Sequence, residues 1–314
     1  MYNSIGPDVS IVTVSWNVKK LILECIQSVY EKTESYSFEM IIIDNDSKDG
    51  TPEIIEKKFH EIKLIKNNYN AGITVANNQG IKASKGRYIC FLNPDTHLIN
   101  NAIDLLVKYL EENTSVSAVG SQSINFGNVI EESCRKSSMS IWTEFLDMTT
   151  LTARFPKNRI ISRHRLGYWD HMSIRSVDHI AAECLIVRKN LLNQIGVMDE
   201  QFFMYGDDTD FCRRIKNSGG EIIYYPHAKI FHHKGSSSKQ NSEIPIVVKE
   251  SYYKYFSKHH GVFYALCYRF TVGVIGLCWI ICWSVMFFIT NKEKRVVIRQ
   301  RIIPSLIKLV RWAF

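Results

Sequence analysis

Two acidic clusters, about 110 residues apart, are the side chains of this sequence best suited to chemistry. Asn93-Pro94-Asp95-Thr96 follows the apolar run Tyr88-Ile89-Cys90-Phe91-Leu92, and Asp207-Asp208-Thr209-Asp210 follows Phe202-Phe203-Met204-Tyr205. Mg2+ and Mn2+ take oxygen ligands, commonly one or two carboxylates completed by substrate phosphate oxygens. Asp95 can serve in that way, while neutral Asn93 is a weaker ligand or one acting through water. Adjacent carboxylates repel, so at least one of Asp207 and Asp208 should titrate high, which suits removal of a proton from a hydroxyl. The plainer alternatives are a Pro-containing turn after a strand and a charged helix start, where Asp210 favours the positive helix end. The large aromatics before the second cluster weigh against a merely solvated face.

Weaker candidates lie between and beyond these clusters. Asp44 ends the run Met40-Ile41-Ile42-Ile43 and can accept a hydrogen bond from the N3–H of uracil or thymine. The neighbouring acids, Asp49 above all, also suit a turn. Asn70-Ala71-Gly72 and Asn77-Asn78-Gln79-Gly80 supply amides and flexible backbone for a base and ribose, with Asn70, Gly72, Asn78 and also Asn93 as nucleotide-binding candidates. A loop and a helix cap would use the same residues. His232-His233 ends a late apolar run, and an imidazole there can complete a metal site. Which of the two does so is open. Carboxylate-rich surroundings favour magnesium or manganese over zinc.

The elements that must position these residues alternate. Strands are predicted at Val9–Val14, Met40–Ile43, Ile62–Ile65 and Tyr88–Leu92, with helices at Leu21–Tyr30, after Thr51 as cap, at Ala76–Ala83 and at Ala102–Glu112. This order predicts a mostly parallel sheet flanked by helices, whose ligands bind at the carboxyl ends of strands. Asp44 and Asp95 fall at such ends. Residues 121–175 read as loops and short helices. Further strands are expected at Cys184–Val187, Ile222–Tyr225 and Lys229–Phe231, with a helix from Lys189 and another over Asp210–Asn217.

The charge is unevenly placed. The formal net charge is +8, yet residues 249–314 hold eleven Lys/Arg against two acids, which leaves residues 1–248 near −1. A basic tail with a near-neutral body argues against nucleic-acid binding and for anionic membrane lipids. Residues 270–289 are uncharged and long enough to cross a bilayer, although Trp279 and Trp283 sit mid-segment. Residues 296–314 read as an interfacial amphipathic helix interrupted at Pro304. Two regions follow: a catalytic domain over residues 1–248 and a basic, apolar, membrane-associated region over residues 249–314. The eight cysteines lack C-x-x-C spacing, which suits a reducing cytosol. No cleaved signal peptide is expected.

Taken in order, VSIVTVSWN, IIIDNDSKDGT, NAGITVANNQGI, GRYICFLNPDT, CLIVRK, IGVMDEQFFMYGDDTDFCRRI and HAKIFHHKGSS resemble the motifs of glycosyltransferase family 2, and most of all its bacterial rhamnosyltransferase branch. They span residues 9–238. The resemblance implies the GT-A nucleotide-sugar-binding fold and transfer with inversion at the anomeric carbon. It implies that Asp44 reads the base, that Asp95 is the acid of the metal motif, that His232 is a late metal ligand, and that Asp208, second of the acidic pair, is the base. It also implies a nucleotide-sugar donor, best guessed as dTDP-L-rhamnose, a saccharide or polyprenyl-diphosphate-linked acceptor, and a cytoplasmic catalytic domain at a bacterial inner membrane. Three positions depart from the pattern: Asn93 for an acid, Ala76 for a frequent Gly, and Glu183 where Ala is usual. Glu183 is expected to bear on acceptor or sugar preference.

Galactofuranosyl, glucosyl and N-acetylhexosaminyl transfer remain alternatives within the family. A sugar nucleotidyltransferase would open on a Gly-rich loop, and residues 9–20 contain no Gly. A non-catalytic nucleotide-sugar-binding or scaffold protein would be expected to lose the acids that this chain keeps.

Overall fold

The computed structural model describes residues 6–125, 127–131, 139–233 and 244–314. They form two compact units: one of residues up to 138 with 165–241, the other of 139–164 with 242–314.

In the first unit, β1 (Val9–Ser15), α1 (Lys19–Lys32), β2 (Phe38–Asn45), α2 (Thr51–Lys58), β3 (Lys63–Asn67), α3 (Ile73–Ala83) and β4 (Tyr88–Leu92) alternate as expected. β5 (Thr96–Leu98), α4 (Ala102–Glu112) and β6 (Val116–Ile124) follow. Two helices of the second unit, α5 (Ile141–Met148) and α6 (Leu151–Arg154), intervene before β7 (Arg175–Ser176), β8 (Cys184–Arg188), α7 (Leu192–Ile195), α8 (Asp207–Asn217) and β9 (Glu221–His232). The sheet order is β3-β2-β1-β4-β8-β6-β9-β5, with β7 beside β9.

The expected parallel pairing holds across β3-β2-β1-β4, and β6 runs parallel to β9. The sheet as a whole is mixed, because β8 runs antiparallel to both β4 and β6. That reversal carries the start of β8 to the carboxyl ends of its neighbours. Strict alternation then sorts the strands onto two cores. Val9, Ile11, Met40, Ile42, Cys90 and Ile186 face one layer, and Val12, Val14, Ile41, Ile43, Phe91 and Leu185 the other.

Several boundaries differ from the sequence reading. Ile222–Tyr225 and Lys229–Phe231 belong to one strand, because the register against β6 jumps from Tyr225 to Lys229 and a bulge absorbs Pro226. Gly50 is the cap of α2 and Thr51 its first residue. Asp49 does the capping, accepting from Thr51 N at 3.1 Å and Thr51 Oγ1 at 2.6 Å. The helix expected from Lys189 is a 3-10 turn followed by the single turn of α7.

In the second unit, α9 (Ile244–His260) and α10 (Val262–Ile289) precede α11 (Lys292–Val297) and α12 (Ile303–Ala313). The expected boundary at residue 248 falls inside α9. At ~1.5 Å rise per residue, α10 is about 42 Å long, and it is the one helix among the described residues apolar and long enough to cross a membrane. Its buried residues Ala265, Tyr268, Val272, Gly273 and Gly276 follow helical spacing, while Phe270, Ile281, Val285 and Phe288 are exposed. Gly273 and Gly276 let α12 approach closely: an added Cβ would lie 2.6 Å from Phe314 Cε2 and 2.9 Å from Val310 Cγ2. Arg269, within α10, donates to Trp312 O at 2.9 Å at the end of α12. Trp279 sits mid-helix because its indole N–H donates to Met148 O at 2.9 Å.

Candidate active site

Each acid reaches the site from the end of an element. Asp44 lies at the end of β2 and is 1 % exposed. Its Oδ2 accepts from Ser47 N at 2.8 Å. Burial raises its carboxyl above the usual range despite the Ser47 bonds. It borders a cleft of about 480 Å³ lined also by Asp46, Lys48, Lys66 and Asn67.

The amide candidates divide. Asn70 Oδ1 accepts from Gly72 N at 3.1 Å and from Asn45 Nδ2 at 3.3 Å, so it shapes the loop beside Asp44. Gly72 has φ +83°, and an added Cβ would lie 2.7 Å from Phe203 O. Only glycine fits both that conformation and that approach. Asn78 faces a loop. Its amide donates to Met198 O at 2.9 Å and accepts from Met198 N at 3.0 Å, so it pins the 198–200 loop.

Asp95 follows β4 through a turn closed by Thr96 N donating to Asn93 O at 3.2 Å. Asn93 N donates to Glu183 O at 3.1 Å, which ties this turn to the start of β8. Thr96 pairs with His232 across β5 and β9. Period-2 alternation turns the two histidines apart. His232 Nε2 lies 3.2 Å from Asp95 Oδ1, while His233 Nε2 is 3.9 Å from Glu24 Oε2. The geometry therefore puts the imidazole of His232, and not that of His233, beside the Asp95 carboxyl group.

Two acids that sequence reasoning did not place here complete this cluster. His232 Nδ1 bonds Glu131 Oε2 at 3.1 Å and lies 3.4 Å from Glu183 Oε1. Ser123 Oγ donates to Glu183 Oε2. Glu183 thus faces His232, a place that its position in the sequence did not indicate. Its only sequence signal was the departure from Ala. Glu131 lay in a stretch with no regular pattern. It arrives because Ile130 bridges back to Ile124 and Glu131 N donates to Ser123 O at 2.9 Å.

Asp95, Glu131, Glu183 and His232 are 8 %, 3 %, 7 % and 7 % exposed. Burial by itself lowers an imidazole, but the contacts with Asp95 and Glu131 and the charge of Glu183 outweigh it and raise His232 to about 10. Three buried carboxyl groups thus surround one imidazole, and an acidic cluster taken out of water calls for a positive partner. Among the described residues, Glu131, Glu183 and His232 bring ligand atoms within 4.8 Å of one another. An oxygen-rich set with one nitrogen fits Mg2+ or Mn2+.

The acidic pair stands on the first turn of α8, which starts at Asp207 rather than at Asp210. Tyr205 and Gly206 precede it with φ +64° and +76°. A non-Gly residue in this region costs on the order of 1–3 kcal/mol, a strain common at functional sites. Burial, then the neighbouring charge of Asp208, pushes Asp207 well above the usual carboxylate range. Asp208 Oδ1 accepts from Thr209 N at 2.7 Å. Asp210 belongs to the fold: it is fully buried and pairs with Arg214 Nε at 2.8 Å.

His179 is a further residue the sequence reading missed. It is buried, and its Nε2 lies 3.3 Å from Asp208 Oδ2. It stands four residues before Glu183, which faces His232. Four residues span at most ~14 Å, so this one segment links the two acidic clusters. His179→Leu should lower kcat about tenfold to hundredfold through misplacement of Asp208. Donor KM should stay near normal, and His179→Gln should recover part of the loss. Steady-state kinetics of the three proteins would show equal rates if His179 only packs.

The glycosyl transferase family 2 model matches residues 10–178, more than half of the chain. The chain belongs to glycosyltransferase family 2. It is 25% identical over 236 residues to an N-acetylglucosaminyl-diphospho-decaprenol L-rhamnosyltransferase of Mycobacterium tuberculosis, covering 71% of this chain and 76% of that one. It is 28% identical over 240 residues to an Escherichia coli UDP-Glc:alpha-D-GlcNAc-diphosphoundecaprenol beta-1,3-glucosyltransferase, covering 71% and 90%. Among solved structures it resembles the Pyrobaculum calidifontis mannosyltransferase in complex with GDP-Man and Mn2+, with a TM-score of 0.55 and 14% identity over 99% of this chain and 87% of that one. The fold of this glycosyltransferase is GT-A, with its acids along the carboxyl edge of a mixed sheet.

Proposed function

We propose that this glycosyltransferase moves a hexose, with inversion, from a nucleoside-diphosphate donor to a GlcNAc-diphosphate-polyprenol acceptor during cell-envelope polysaccharide assembly. The observation that carries the acceptor is that the mycobacterial and E. coli relatives differ in sugar, yet both names specify a GlcNAc-diphosphate-polyprenol. L-rhamnose from its dTDP donor is the first reading of the sugar. Glucose from UDP-glucose is the second, favoured by the E. coli relative.

Asp44 accepts the ring imide of the base, and the Asn70–Gly72 loop shapes the wall beside it. Asp95 and His232 would hold a divalent cation, which would supply charge neutralisation to the departing diphosphate. Asp208 takes the proton from the acceptor hydroxyl as its oxygen attacks the anomeric carbon. The bond to the diphosphate breaks on the opposite face, so no enzyme nucleophile is needed. Asp207, titrating high, keeps the pair from carrying two full charges.

Catalysis belongs to the first unit in this reading, and the second attaches the enzyme to a membrane. The exposed apolar side of α10 suits lipid, and Lys294 and Arg295 beyond it suit anionic headgroups. The test is a donor panel with full-length protein in membranes and a synthetic GlcNAc-diphosphate-lipid. Transfer from dTDP-rhamnose or UDP-glucose supports the reading. Transfer only to acceptors that lack the diphosphate-lipid would overturn it.

A further inference from the structure

The imidazole of His232 is gripped on both sides, and the two sides differ. On the Nδ1 side lies Glu131, whose side chain is 1 % exposed and whose Oε2 makes the 3.1 Å bond. On the Nε2 side lies Asp95 at 3.2 Å, with a side chain 10 % exposed, on the turn that contains Asn93. A neutral imidazole has one N–H and one lone pair. With a cation in place of the Nε2 proton, the hydrogen left on Nδ1 would be donated to Glu131 and the Nε2 lone pair would face the ion beside Asp95. The second carboxylate near Nδ1, Glu183, has its other oxygen held by Ser123 Oγ.

We propose that Glu131 is a positioning residue that fixes the tautomer and ring plane of His232, so that Nε2 and Asp95 together face the cation. The proposal rests on the reading of Asp95 and His232 as cation ligands. A histidine ligand whose other nitrogen donates to a carboxylate is held in one tautomer and made more basic, and loss of such a partner weakens metal binding about 10–100-fold. It also gives Glu131 a role that its place in an irregular stretch did not suggest. Glu131 lies on the chain just past β6 and acts on the last residue of β9.

The experiment is Mn2+ titration of the full-length protein in detergent with UDP or dTDP present, read by the electron paramagnetic resonance of free Mn2+. Spin-echo modulation of the bound ion reports a coordinated imidazole nitrogen, and thermal melting checks folding. Glu131→Leu should weaken Mn2+ about 10–100-fold and diminish the nitrogen modulation. Glu131→Gln keeps an acceptor oxygen and should fall between Glu131→Leu and the unaltered protein, while Asp95→Asn should weaken the ion most. Unchanged affinity and modulation in folded Glu131→Leu and Glu131→Gln would overturn the proposal. So would loss of binding in Glu131→Gln and Glu183→Gln while Asp95→Asn still binds, since the ion would then sit on the Nδ1 side. If the unaltered protein binds no Mn2+ with nucleotide present, the cation reading itself fails, an outcome distinct from either of these.

Discussion

Asp208→Asn is expected to lower kcat about 10³-fold, within the range set by loss of a positioned general base, while donor affinity changes by no more than about twofold. Asparagine keeps the shape of the side chain and the acceptor oxygen that meets Thr209 N, so α8 should keep its first turn. It removes the basic oxygen that faces His179. In the proposed reading the donor is held by Asp44 and the Asn70–Gly72 loop, so nucleotide titration should be near normal. Asp207→Asn should cost less in kcat, because Asp207 titrates high and shares the charge of the pair instead of receiving the acceptor's proton. A variant Asp208→Asn that turns over at the normal rate would move the base elsewhere.

Asp95→Asn is expected to produce the second large effect. It keeps the side-chain size but removes the carboxylate 3.2 Å from His232 Nε2. Cation stabilisation of a leaving diphosphate contributes several kcal/mol. A loss of about 3 kcal/mol corresponds to roughly 10²-fold in rate. Asn93 cannot compensate, because it is already neutral and its turn would then carry no charge at all. Activity should shift to higher Mn2+ concentration, measured as the half-saturating concentration for turnover. Asp95→Asn with an unchanged metal requirement would remove Asp95 from the ligand set.

Much of this site was legible in the sequence, for a specific reason. Met40–Ile43 and Tyr88–Leu92 are buried on both faces, so they read as unbroken apolar runs, and each ends on a polar residue at the carboxyl edge of the sheet. The acids at such ends are visible because apolar runs stop abruptly there. β6 was hidden because Ser117, Gly120, Ser121 and Gln122 interrupt its apolar pattern. Gly120 is small because Ile180 packs against it, where an added Cβ would lie 2.4 Å from Ile180 Cδ1. That reason comes from a residue 60 positions away. The partners of the acids were hidden for the same cause. Glu131 and His179 acquire their roles only through contacts with His232 and Asp208, 101 and 29 residues distant, and nothing local to either residue marks them.

The mixed sheet explains why the cluster around His232 holds more acids than the Asn93–Asp95 motif. An all-parallel arrangement would have placed the start of β8 at the far edge of the sheet. Its antiparallel run instead brings Glu183 level with the end of β4, where Leu92 pairs with Cys184. The chain that lost an acid at Asn93 thus carries another carboxylate at the same edge of the sheet.

The central claim is a single displacement at these carboxylates, with no enzyme-bound sugar. The anomeric configuration of the product, read by NMR after transfer to the GlcNAc-diphosphate-lipid, tests it most directly. The expected product has a configuration opposite to that of the donor, and its formation is reduced about 10³-fold in Asp208→Asn. A product that retains the donor's configuration would contradict it.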